Sequence, residues 1–491
     1  MQNVSQSNYR NSLKSTLLFS FVQVYQIIIR IVRSKFVAMF IGPAGMGVMS
    51  LLHSTTDLIS ASTNLGLKTS GVKSVAAANA TNDKEKIEKI IAVLRKLVFA
   101  TGLLGMFICA FLSPVWSKTS FGNADYTWSF VIISVIILLD QLNSGELVML
   151  QGMQKKKYLA RANVIGQTIG LFIAIPLYYF FRVKAIVWVL VSSSLLTLLI
   201  SKYYTNKIGI KRIKVSAKEV VSVGREMVKL GILLSIQFLF SQISMYVVRN
   251  YVSNTGSLDD VGLYSAGSTI IKMYLGLVFT AIATDYFPRL AGTKTSEELC
   301  ASVRQQAEVT ILLFAPLIVA FVVYIKPVIL LLYSEQFLPI EKMLYWAMGA
   351  TLIKAMAWAM SYSVLAKAKT SVFFWNEVFS IGCTLLFNIL GYHFWGLTGF
   401  GVSILVGYTV YLIQMMIVTR KSFGFSYGKK IWGLFLALNV FVVVSLALKT
   451  ITYPVLQYVL GSLLFVASAM YSLYELNKRM DLRSLFSRNK K

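Results

Sequence analysis

The chain is poor in the side chains from which metal centres and disulfide frameworks are built. Its 491 residues include three cysteines and two histidines. Cys109, Cys300 and Cys383 lie far apart, as do His53 and His393, so neither a zinc spacing nor a paired-cysteine pattern exists. No metal and no cofactor is expected. Charge is also scarce: 14% of residues are Asp, Glu, Lys or Arg, against about 25% in soluble domains. The phosphate-cradling pattern G-x-x-x-x-G-K-[ST] is absent, which argues against an ATP-driven pump. The loops on one side are short, the longest near residues 113–127 and 335–342, leaving no room there for a catalytic domain. An enzyme is not expected. The first apolar segment is too long for a signal-peptide core and no small-residue cleavage site follows it, so it should remain in the mature chain.

What the chain has in abundance is long apolar sequence: 56% of residues are hydrophobic and the mean hydropathy is +0.67. A spanning helix needs roughly 20 mostly apolar residues, and on that rule about 14 segments qualify. They lie near 16–40, 45–67, 90–112, 128–150, 160–181, 184–204, 228–252, 261–287, 306–332, 339–366, 372–394, 397–419, 431–449 and 454–474. Runs of this length predict helices rather than barrel strands, which alternate over about 10 residues. The fold class is an all-α integral membrane protein. The net charge of +28 is spread as topology rather than as a nucleic-acid patch. Roughly 36 basic residues fall in alternate loops, with about 6 on the other side, which puts both termini in the cytoplasm. The surplus also meets anionic lipid headgroups.

An internal repeat organises the spans. Gln26-Ile-Ile-Ile-Arg-Ile-Val-Arg33 aligns with Gln242-Ile-Ser-Met-Tyr-Val-Val-Arg249 at an offset of 216, and Gly45-Met-Gly-Val-Met-Ser50 follows with Asp260-Val-Gly-Leu-Tyr-Ser265. Six spans per half keep both copies in one orientation, as in transporters with a site between parallel repeats. The expected organisation is a six-helix lobe over 1–215, a second over 216–427, two further helices over 428–477 and a basic cytoplasmic tail over 478–491. The lobes are pseudo-symmetric and enclose a central lumen. Gly42-Pro-Ala-Gly-Met-Gly47 falls between the first two spans and reads as a tight turn that lets helices approach.

Charges inside the spans are the candidate functional groups, because each costs about 3 kcal/mol or more at the bilayer centre. Gln26, Arg30 and Arg33 share one helical face, and Gln242 and Arg249 occupy the matching face of span seven. At about 1.5 Å per residue, Arg30 lies just beyond the midplane. Snorkelling to the headgroups is the alternative for Arg249. Lys272 and Lys354 are further lumen candidates. Asp57, which the repeat pairs with Lys272, and Asp140 are candidates for ion coupling or gating; Asp140 could equally be interhelical glue. Cations outnumber anions in this set, and arginine's planar fork suits phosphate oxygens. An anionic, phosphorylated cargo fits such a lining.

The chain resembles the Wzx-type O-antigen and lipid-linked oligosaccharide flippases of the MOP (MATE-like) exporter superfamily. The residues that carry the resemblance are Arg30, Arg33, Phe40-Ile-Gly-Pro-Ala-Gly-Met-Gly47, Gly66-Leu-Lys68, Ser74-Val-Ala76, Leu150-Gln-Gly-Met-Gln-Lys155 and Asp285-Tyr-Phe-Pro-Arg-Leu290. The resemblance implies an undecaprenyl-pyrophosphate-linked oligosaccharide cargo, moved from the cytoplasmic to the outer leaflet of the bacterial inner membrane by alternating access. It further implies that Arg30, Arg33 and, through the repeat, Arg249 meet the pyrophosphate, and that polysaccharide polymerase or chain-length machinery is the protein partner. Many relatives of this branch have twelve spans, so the last two helices depart from the pattern. The competing readings are a MATE-type multidrug exporter and, from another class, a membrane polysaccharide polymerase or ligase.

Overall fold

The computed structural model describes residues 2–211, 213–367 and 370–480; residues 481–491 of the expected basic tail lie outside the described residues. Seventeen α-helices follow one another, with no strand among the described residues. They are α1 (Gln2–Thr63), α2 (Leu67–Ala80), α3 (Lys84–Phe111), α4 (Ser113–Phe121), α5 (Thr127–Gly152), α6 (Lys156–Phe181), α7 (Ile186–Asn206), α8 (Ala217–Thr255) and α9 (Leu258–Ile270). Then come α10 (Gly276–Ala291), α11 (Ser296–Val323), α12 (Ile325–Leu332), α13 (Glu341–Gly349), α14 (Thr351–Ala366), α15 (Thr370–Phe423), α16 (Lys429–Ala447) and α17 (Pro454–Met480).

Nine helical segments among the described residues are long and apolar enough to cross a membrane, or ten if the two arms of α8, bent by 52°, form one span. Three of the nine run 42, 51 and 53 residues, at least twice the roughly 20 a bilayer requires. Each contains a break: Gly42 at φ 63 in α1, the short 3₁₀ turn Arg182–Ala185 between α6 and α7, and Gly396 at φ 55 in α15. Left-handed φ costs a residue with a Cβ about 1–2 kcal/mol, which is why glycine marks two of these breaks. Splitting the three long segments at these breaks gives twelve spans; the expected fourteen further requires α8 and the pair α13–α14 to cross once each. Large apolar side chains cover the outside: Phe111, Phe172 and Val455 are 85%, 70% and 77% exposed, which in water would be an aggregation surface. Trp128, Trp188 and Tyr453 stand exposed at or near helix starts, where an amphipathic ring meets the headgroup boundary. The chain is an integral membrane protein.

The chain divides into two compact units. The first comprises residues 1–262 with 332–334. Its core joins four helices through Leu67 and Val75 of α2, Leu94 and Val98 of α3, Val148 and Met149 of α5, and Met227 of α8. Where α2 begins, its backbone touches that of α8: a Cβ on Gly66 would come within 2.0 Å of the Gly231 carbonyl, and one on Gly231 within 2.1 Å of the Leu65 carbonyl. Gly47 and Gly262 make a second backbone approach, each leaving no room for a Cβ. Span seven of the sequence, α8, thus packs with the helices before it.

The second unit comprises residues 263–331 and 335–491. The buried helix α11 runs through it and packs against α14, α16 and α17. An aromatic cluster binds α10 to its neighbours: Phe279 stacks on Phe314 at 4.5 Å between centroids, and Trp358 lies 5.2 Å from Phe279 and 5.6 Å from Tyr286. The Tyr286 hydroxyl donates to the Ala359 carbonyl at 2.7 Å. Arg479 near the end of α17 pairs with Glu308 of α11 at 2.6 Å and with Glu475 one turn back.

Candidate functional site

The first unit contains a file of charged and polar side chains drawn from three helices. Arg33 lies on the first arm of α1, His53 and Asp57 on the second, Asp140 on α5 and Arg249 on α8. Arg33 and Arg249 both act electrostatically on His53. In one straight helix Arg33 and His53 would be about 30 Å apart, at 1.5 Å per residue, beyond useful reach in a screened medium. Their mutual reach follows from the break at Gly42, which brings the two arms of α1 together. The glycine-rich stretch therefore shapes the site.

From His53 the file continues in one direction. Asp57 stands one turn further along the same helical face and feels Arg249; Asp57 and Asp140 repel one another. The Ser194 hydroxyl of α7 donates to the Asp140 carboxylate, an interhelical bond of the kind that joins membrane helices. Toward the other end, Tyr178 of α6 faces Arg33 and its hydroxyl donates to Met49 Sδ at 3.8 Å. The file is therefore polarised, with Arg33 toward one end and two carboxylates toward the other, and Arg249 acting on both His53 and Asp57. Arg33, His53 and Arg249 are half-buried, whereas Asp57 and Asp140 are exposed.

The other sequence candidates divide between the two units. Arg30 is exposed one turn before Arg33, and Gln26 and Gln242 are half-buried on the same two helices as the arginines. In the second unit, exposed Lys272 falls in the π-helical turn Ile271–Leu275 that separates α9 from α10, an irregularity frequent at functional sites. Lys354 is held between the rings of Phe279 and Tyr408, 5.1 and 5.0 Å from their centroids, within cation–π range. Nearby in chain order, the Tyr411 hydroxyl donates to Glu377 at 2.5 Å, and Ser361 also hydrogen-bonds Tyr411. Glu146, another intramembrane charge, pairs with Arg95 at 3.2 Å.

Sequence reasoning missed His53, Tyr178 and Ser194. A signal existed for His53: its i, i+4 spacing to Asp57 places both on one face. No group of three or more His, Cys, Asp or Glu among the described residues is arranged to hold a metal ion.

The family described as "Polysaccharide biosynthesis protein" matches residues 12–294, more than half of the chain. The chain belongs to that family. A protein of Shigella flexneri named "Putative O-antigen transporter" is 24% identical over 314 residues, 62% of this chain and 72% of that protein. The "Lipid III flippase" of Escherichia coli (strain K12) is 20% identical over 363 residues, 72% of this chain and 85% of the relative. Among solved structures, lipid II flippase MurJ in an inward closed conformation superposes with a TM-score of 0.74 at 13% identity. That match covers 94% of this chain and 99% of the other. The likeness establishes a shared fold with MurJ. The family match covers α1 to α10 and so contains every member of the charged file.

Proposed function

We propose that this protein flips an undecaprenyl-pyrophosphate-linked oligosaccharide from the cytoplasmic to the outer leaflet of the bacterial inner membrane. In this reading the three helix breaks are membrane boundaries and α8 and the pair α13–α14 each cross once, giving fourteen spans with both termini in the cytoplasm. Two lobes, residues 1–215 and 216–427, rock about a central lumen, and the helices of 428–477 flank them. The names of the relatives, an O-antigen transporter and a lipid III flippase, support a lipid-linked sugar cargo.

The observation that supports the reading is that Arg33 and Arg249, on two helices that the repeat relates, both act electrostatically on His53. Arg33 is the end of the file remote from the carboxylates, so it is the end that favours an anion. A pyrophosphate there accepts charge-assisted bonds from Arg33 and Arg249, worth about 1.5–3 kcal/mol each, with Arg30 one turn away. Arg249 is shared: an anion drawing it from Asp57 leaves that carboxylate less compensated, which couples cargo binding to the state of Asp57 and Asp140. The polyprenyl chain stays in lipid while the sugars cross the wet lumen. Lys272 and Lys354 are assigned to the lumen side of the second lobe.

Deleting the gene tests the reading. Accumulation of lipid-linked sugar intermediates with unchanged drug susceptibility supports it; raised drug susceptibility with normal surface polysaccharide favours a multidrug exporter instead.

A further inference from the structure

A cavity of about 300 Å³ lies in the first unit, away from the charged file, between α3, α5, α7 and the segment linking α7 to α8. Its polar lining comprises Arg95, Lys96, Lys202 and Lys211 with the carboxylates of Glu88 and Glu146, four cations to two anions. Its size is at the lower limit of ligand pockets, about 300–1,000 Å³, which suits a headgroup rather than an oligosaccharide.

The linker is tied down over this cavity. The Lys96 ammonium donates to the Val215 carbonyl at 2.5 Å. Lys89 of α3 pairs with Glu219 of α8 at 2.6 Å, and the Ser216 hydroxyl and Glu219 form a reciprocal cap on the start of α8. On the floor, Arg95 spends one nitrogen on Glu146 at 3.2 Å, while its buried Nε–H has no acceptor. A buried donor without an acceptor costs about 1–3 kcal/mol, more when charged. Lys202 and Lys211 are exposed and neither forms an ion pair among the described residues; the Lys211 backbone N–H donates to Glu88 Oε1 at 3.4 Å. One cation paired with a carboxylate, one bonded to a backbone carbonyl, two in no ion pair and an orphaned guanidinium donor, against Glu88 as the remaining anion, make a net-positive cavity suited to an anion rich in acceptor oxygens.

Depth identifies the zone. Lys202 is four residues before the end of α7, and Glu88 four residues after the start of α3. Arg95 is about 16 Å along α3 from Lys84 at 1.5 Å per residue. The cavity therefore runs from the headgroup zone of the basic face to just inside the hydrocarbon.

We propose that this cavity binds a phosphate-bearing anion, with Lys202 and Lys211 as its principal ligands and Arg95 beneath. Occupancy fastens the α7–α8 linker to α3. The proposal is independent of the cargo and of the charged file.

The test uses the full chain in phosphatidylcholine nanodiscs, with thermal unfolding followed as phosphatidylglycerol replaces part of the lipid or as inorganic phosphate is titrated. Three proteins are compared: wild type, Lys202→Gln/Lys211→Gln, and a Lys155→Gln/Lys156→Gln control on exposed residues outside the cavity. The expected result is stabilisation of wild type and control, with the half-effective concentration raised about 25-fold in the cavity variant. That figure takes about 1 kcal/mol per basic residue, a factor of about five each. A response to phosphatidylglycerol alone assigns the phosphate to a lipid headgroup; a response to inorganic phosphate assigns it to a soluble anion. The proposal is overturned if neither addition stabilises the wild type, if the cavity variant responds as the wild type does, or if the control loses as much. Should the double variant not fold, Lys202→Gln alone should show an about five-fold shift, and its absence refutes the site.

Discussion

Removing Arg33 and Arg249 separately and together tests whether they act as one anion site. Each should supply about 1.5–3 kcal/mol to a bound pyrophosphate. At about 1.36 kcal/mol per factor of ten, either alanine variant should slow flipping by about 10- to 150-fold. Both arginines act electrostatically on His53; if they hold one anion as proposed, removing one changes what the other can hold. The double variant should therefore fall short of the product of the single losses by about 0.5–3 kcal/mol of interaction energy. Arg33→Lys should retain more activity than Arg33→Ala, since charge persists but the bidentate fork does not. The assay is the rate at which a labelled undecaprenyl-linked oligosaccharide becomes accessible on the far leaflet of proteoliposomes at matched protein content. Wild-type rates from both single variants would refute the reasoning, and so would strictly multiplicative losses.

Three further outcomes follow from packing and the membrane. Gly66→Ala places a methyl about 2.0 Å from the Gly231 carbonyl at a φ of +66; it should destabilise the chain by more than about 3 kcal/mol, through overpacking and left-handed strain together, seen as a lowered Tm in detergent. Arg479→Met leaves Glu308 and Glu475 facing each other without their shared cation and should cost about 3 kcal/mol, whereas Glu308→Gln should cost less; unfolding of the two purified variants ranks them. Phe172→Asp, on the exposed lipid side of α6, should cost about 3 kcal/mol of insertion and reduce the membrane-integrated fraction. An unchanged fraction would mean that Phe172 does not face lipid.

Much of the fold was legible because bilayer thickness acts on sequence directly. The expected apolar segments lie largely in helices, nine or ten of which are long and apolar enough to cross a membrane, and they include the pairs divided at Gly42 and Gly396. Those breaks were readable because only glycine adopts their φ at little cost. Less legible was the packing of α8 onto α2 and α3. It rests on Gly66 meeting Gly231, a coincidence of two glycines 165 residues apart that no periodicity announces. The same holds for the site. Intramembrane charges declare themselves by cost, so Arg33, Arg249, Asp57 and Asp140 stood out. Their grouping through His53 did not, because a half-buried histidine in a span resembles a core residue until the opposing helix is in place. Lys354 shows the reverse: its charge stood out, while the rings of Phe279 and Tyr408 that hold it are 75 and 54 residues away in sequence.

The most direct test of the proposed function is a leaflet-accessibility measurement on purified protein in liposomes loaded with labelled undecaprenyl-pyrophosphate-linked oligosaccharide. The expected result is transfer well above protein-free liposomes, reduced about ten-fold or more in Arg33→Ala/Arg249→Ala, with no comparable transport of an organic cation. Transfer equal to that of empty liposomes, or a preference for the organic cation, would contradict it.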